Sequence, residues 1–92
     1  MRRDGPMMAD RKTVLRLLKT ARGQIDGIIK MVEDDRYCMD ISQQVTAADA
    51  MLRRANREIL TAHLKHCVEH ADSDTERAEK VDELVRALEK IL

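Results

Sequence analysis

From Tyr37 to His70 the chain runs without a glycine or a proline, and Ile41, Val45, Ala48, Leu52, Ala55, Ile59 and Ala62 recur through it at strict 4-3 spacing. That spacing puts residues on one side of a helix, so the stretch predicts one long helix with a coiled-coil-like seam. A rod of this length cannot fold back on itself. A chain of 92 residues built around it buries a small fraction of its surface alone, so partner subunits are the natural source of further burial.

The flanking segments are helical in pattern as well. Val14, Leu17, Leu18, Ala21, Ile25, Ile28, Ile29 and Val32 form an apolar stripe that would start from an N-cap at Asp10. Gly23 and Gly27 interrupt this first helix at four-residue spacing; close helix packing is the simplest use for them, and close approach to a ligand backbone the functional alternative. Asp34 and Asp35 mark a short acidic turn. Ser73 followed by Glu76 forms a capping box that opens a third helix, with Val81, Leu84, Val85, Leu88, Ile91 and Leu92 on its inner face. Residues 1–9, broken by Gly5-Pro6, read as a flexible N-terminal tail, and residues 10–92 as a single helical domain. The expected fold class is all-α, a three-helix protomer.

Composition removes several function classes. Tyr37 is the only aromatic residue, which argues against an aromatic-lined ligand pocket and against a base-stacking binder of single strands. The pattern has no long loops from which to build a catalytic pocket, so an enzyme is not expected. No apolar run approaches a membrane span, and the chain reads as cytoplasmic, with no membrane partner. In a reducing compartment its two cysteines serve as thiols, metal ligands or redox sensors rather than as a structural staple.

Cys38, His63 and Cys67 carry the chemistry. His63 and Cys67 are four residues apart on the long helix, where both side chains can reach one atom, and thiolate with imidazole is a donor set for Cu(I) or Zn(II). Cys38 lies about 38 Å from His63 along a continuous helix, so it would serve the site of another subunit. Two such helices crossing antiparallel about a two-fold axis near Met51 and Leu52 would place Cys38 of one chain beside His63 and Cys67 of the other, twice. Leu52 belongs to the apolar seam, so the ligand spacing and the seam put the axis in the same place. A free cysteine alone is usually a small buried hydrophobe and a lone histidine usually a solvated one. The combination is what points to a shared site. His66 falls off this stripe and His70 a turn beyond Cys67, which suits solvated or dipole-stabilising roles.

The formal net charge is zero, yet every ionisable residue from Arg11 to Arg22 is basic. Lys12, Arg16 and Lys19 share one face with Arg22 near it, and Arg53, Arg54 and Arg57 cluster midway along the second helix. Such stripes are ordinarily solvated faces. Repeated over an assembly, they would form a broad basic surface for the phosphates of double-stranded DNA, without a recognisable groove-reading motif.

With their surroundings, LKTARGQIDGIIKMVEDDRYCMDI, RRANREIL and HLKHC, these residues resemble the copper-sensitive operon repressor (CsoR/RcnR) family of bacterial metal sensors, over Leu18 to about Leu88. The resemblance implies an antiparallel homodimer that assembles into a disc-shaped homotetramer, bound to operator DNA when metal-free. It also implies a trigonal Cu(I) site across the dimer, formed by Cys38 of one protomer with His63 and Cys67 of the other, whose filling releases DNA and derepresses copper-resistance genes. Tyr37 and Glu83 match positions that surround the ligands, and Lys19, Arg22 and Arg54 match basic positions used for DNA. Leu17 stands where many members carry an arginine. Nickel and cobalt sensors of the family add an N-terminal histidine, whereas no histidine precedes His63 here. Two other functions fit the same residues: a persulfide- or redox-sensing repressor that bridges Cys38 and Cys67 of two subunits, and a copper buffer with no DNA role.

Overall fold

The computed structural model describes residues 7–91, which contain three helices and no strand: α1 (Arg11–Glu33), α2 (Cys38–His70) and α3 (Asp74–Glu89). All three expected helices are present and start within a residue or so of the local signals, whereas α3 stops at Glu89, short of the Ile91 expected on its inner face; Leu92 lies outside the described residues. The chain divides into two units, Lys12–Asn56 and a second formed by Arg57–Leu92 with the residues before Lys12, and α2 contributes to both.

In the Lys12–Asn56 unit, α1 and the first half of α2 form a helical hairpin. Its turn is a Schellman motif: the Arg36 N–H donates to the Met31 carbonyl at 3.0 Å, and the Asp35 N–H to the Val32 carbonyl at 3.1 Å. Asp35 takes the left-handed conformation this motif requires, with φ 55°, in a position glycine usually fills. Tyr37 then starts α2 by offering its carbonyl to the N–H groups of Asp40 and Ile41.

The apolar pattern is only partly buried. Val14, Leu17 and Ala21 of α1 and Ala48 and Ala55 of α2 are buried, whereas Ile25, Ile29, Val32, Val45 and Leu52 are 42–60% exposed. The 4-3 seam therefore splits into its two heptad rows. Ala48 and Ala55 belong to the row that faces inward, and Val45 and Leu52 to the one left open, because the residues at alternate seam positions diverge around a helix with a neighbour on one side only. Ile25, Ile28, Val45, Ala48, Asp49 and Leu52 line a shallow, almost wholly apolar groove.

Gly23 and Gly27 do not mark close packing within the chain, since a Cβ added to either would meet nothing within 4 Å. Leu17, a member of the expected apolar stripe, is 1% exposed and the largest fully buried side chain.

In the second unit, α2 continues to His70 and a tight link leads into α3. Ser73 adopts an extended backbone and its Oγ accepts the Glu76 N–H at 3.1 Å, the expected cap. Glu76 returns the contact one residue earlier than the usual box, its Oε2 accepting the Asp72 N–H at 3.1 Å. Arg77 donates through Nε to the Val68 carbonyl at 3.3 Å, tying the end of α2 to the start of α3. Leu84 is the buried residue of α3. Residues 1–6 of the expected tail lie outside the described residues. Residues 7–9 form no helix.

Candidate metal and DNA-binding sites

α2 carries His63 and Cys67 on adjacent turns because no residue between them breaks the helix, and both side chains are half-buried. They line a half-open cleft of about 200 Å³ whose other walls come from Met8, His66, His70, Ala71, Glu76 and Lys80. His66 thus lines the same cleft as the pair from which helical spacing alone had separated it. The His66 and His70 rings stack at 4.3 Å, and His70 Nδ1 lies 3.0 Å from the His66 carbonyl oxygen. A carbonyl can only accept, so Nδ1 carries the hydrogen and Nε2 of a neutral ring keeps its lone pair.

The donors within one chain stop short of a complete soft-metal site. Among the described residues no three His, Cys, Asp or Glu side chains are grouped to hold a metal ion. Both cysteines are free thiols, Cys67 half-buried in the cleft and Cys38 exposed as the first residue of α2, in the other unit. Tyr37 is 66% exposed and Glu83 is exposed on α3. Thiolate sulfur and imidazole nitrogen on adjacent turns suit Cu(I), which accepts few, soft ligands, and the pair needs one further donor to close a trigonal set.

The basic residues fall in two groups. Lys12, Arg16 and Lys19 line an open groove along α1 with Leu15 and Thr20, and Arg22 is exposed a turn further on. On α2, Arg53, Arg54 and Arg57 are all exposed. Arg53 Nε sits 2.9 Å from Asp49 Oδ2, an exposed ion pair between residues four apart on the helix. Such pairs are worth about 0.3–0.5 kcal/mol, so Asp49 holds Arg53 only weakly.

A family model described as metal-sensitive transcriptional repressor matches residues 10–90. The chain is 44% identical over 78 residues to the copper-sensing transcriptional repressor CsoR of Mycobacterium ulcerans, covering 85% of this chain and 67% of that one. It is 37% identical over 73 residues to CsoR of Bacillus subtilis, covering 79% and 72%. Two solved structures share the fold. The copper-sensing repressor CsoR with Cu(I) from Geobacillus thermodenitrificans superposes with a TM-score of 0.75 at 35% identity, over 86% of this chain and 82% of that one. The nickel-responsive transcriptional regulator InrS superposes with a TM-score of 0.76 at 27% identity, over 98% and 100%. Matched over nearly its whole length by the family model and by these relatives, the chain belongs to the family of metal-sensitive transcriptional repressors.

Proposed function

We propose that this chain is a Cu(I)-responsive repressor, bound to operator DNA when metal-free and released when Cu(I) fills a site shared between subunits. The observation that carries the reading is the pairing of His63 and Cys67 in one cleft, a soft donor set left one ligand short within the chain. Cys38 of a second copy supplies the missing thiolate. Such an arrangement follows if two α2 helices cross antiparallel near Met51 and Leu52. The exposed Val45 and Leu52, with the apolar groove beside them, favour pairing along this part of the helix. A Leu or Val side chain gains about 1.5–3 kcal/mol on full burial, so covering these half-exposed residues in both copies offsets part of the cost of association.

Two such dimers joined as a tetramer would repeat the basic stripes of α1 and α2 four times and give a wide surface for operator phosphates, in the cytoplasm where the DNA lies. Tyr37 and Glu83 act from outside the ligand set. With His63 bound to the ion through one ring nitrogen, its other N–H is oriented by these two residues, which couples the site to α3. His63 also favours this reading over a persulfide- or redox-sensing repressor, since a bridge between Cys38 and Cys67 needs no imidazole.

The test is a mobility-shift titration on the promoter of the chain's own gene under reducing conditions, with and without Cu(I). Tight binding without metal and release at one Cu(I) per protomer is the expected result. Release by persulfide or oxidant with indifference to Cu(I) would select the thiol reading, and no DNA binding in any state would leave a copper buffer.

A further inference from the structure

The cleft that holds His63 and Cys67 has one wall that comes from ahead of α1 and not from α2, α3 or the link between them. Met8, three residues ahead of α1, lines it, and its side chain is half-buried, whereas the adjacent Met7 is 47% exposed and takes no part in the cleft. A thioether is neutral, polarisable and a weak acceptor, so it offers little to a divalent ion served by carboxylate or imidazole and more to a soft monovalent one.

We propose that Met8 is a specificity-determining residue of the metal cleft, its thioether serving as an additional soft donor to the ion held by His63 and Cys67 and favouring Cu(I) over divalent metals. This rests on the reading of the cleft as a Cu(I) site. It gives a chemical role to a residue of the N-terminal segment, where sequence pattern alone shows only a tail. Glu76 and Lys80, which also line the cleft, are hard groups of opposite charge, so beside Cys67 the thioether of Met8 is the one further sulfur among the lining residues.

The experiment compares the full-length wild type with Met8→Leu, which keeps the size and apolar character of the side chain and removes its sulfur, and with Met7→Leu as a neighbouring control. Cu(I) affinity is read by competition with a chromophoric Cu(I) chelator, and Zn(II) affinity by a zinc indicator. Met8→Leu should weaken Cu(I) binding about tenfold, as loss of a supporting metal contact does, and leave Zn(II) binding unchanged. Met7→Leu should change neither. In protein labelled at the methyl carbons of its six methionines, the resonance that Met8→Leu removes should shift as Cu(I) is added to the wild type. Unchanged Cu(I) affinity in Met8→Leu overturns the proposal, and so does an equal loss for both metals, which would make Met8 an apolar wall. A wild type that takes up no Cu(I) at all overturns the copper reading beneath it, a failure visible before any variant is compared.

Discussion

Replacing Gly23 and Gly27 together by alanine should make the protein more stable and weaken its grip on DNA. Both glycines lie in the interior of α1, and a Cβ on either meets nothing within 4 Å, so alanine adds no clash inside the chain. A glycine costs a helix interior about 0.8–1.0 kcal/mol relative to alanine, and the double variant should gain roughly 2 kcal/mol. In a domain of this size each kcal/mol moves the melting temperature by about 4–8 °C, so the midpoint should rise by roughly 8–16 °C. The assay is thermal melting followed by circular dichroism on the metal-free protein at one fixed concentration, because self-association makes the midpoint concentration-dependent. A lower midpoint than wild type would refute the reasoning, since it would mean that another copy packs against these glycines. The DNA arm is independent. Lys12, Arg16, Lys19, Gly23 and Gly27 follow one another along one side of α1, so two added methyl groups would stand where a phosphate backbone comes close. Operator affinity should fall while stability rises, and unchanged affinity would show that DNA does not approach this side of the helix.

Cys38→Ala should abolish the response to Cu(I) and leave metal-free DNA binding intact in a mobility-shift assay; equal loss of both would make the cysteine structural. A Cys38→Ala chain mixed with a Cys67→Ala chain should recover one high-affinity Cu(I) site per heterodimer, since the first still supplies His63 and Cys67 and the second still supplies Cys38. Recovery of no site would reject the shared arrangement. Asp35→Gly should raise the urea midpoint by the equivalent of about 1 kcal/mol, because glycine takes the left-handed conformation at φ 55° without the Cβ penalty. A lower midpoint would mean that the Asp35 carboxylate makes a contact worth more than that strain. Glu83→Ala should keep Cu(I) affinity but shrink the copper-induced loss of DNA affinity, a coupling of about 1–3 kcal/mol or roughly 5- to 150-fold in such systems. Full wild-type release in that variant would route the switch through other contacts.

What the sequence alone determined are the features written in local chemistry. The absence of Gly and Pro from Tyr37 to His70 and the recurrence of apolar residues define α2, and Ser73 with Glu76 defines the start of α3. The His63–Cys67 pair is legible for the same reason, because four residues along a helix is a fixed step in space. Spacing also set the limit of what could be read. Periodicity gives a residue's angle around its own helix and says nothing of what stands opposite, so Ala48 and Val45 look alike in the seam although one is buried and the other half-exposed. The same blindness made Gly23 and Gly27 look like packing positions when, within the chain, the space beside them is open. Only the tertiary structure put His66 into the cleft with His63 and Cys67, and only it brought Met8 there from a segment with no periodicity at all. Walls of a site that come from different segments are chosen by how those segments pack, and packing is a property of the folded chain rather than of any one stretch of it.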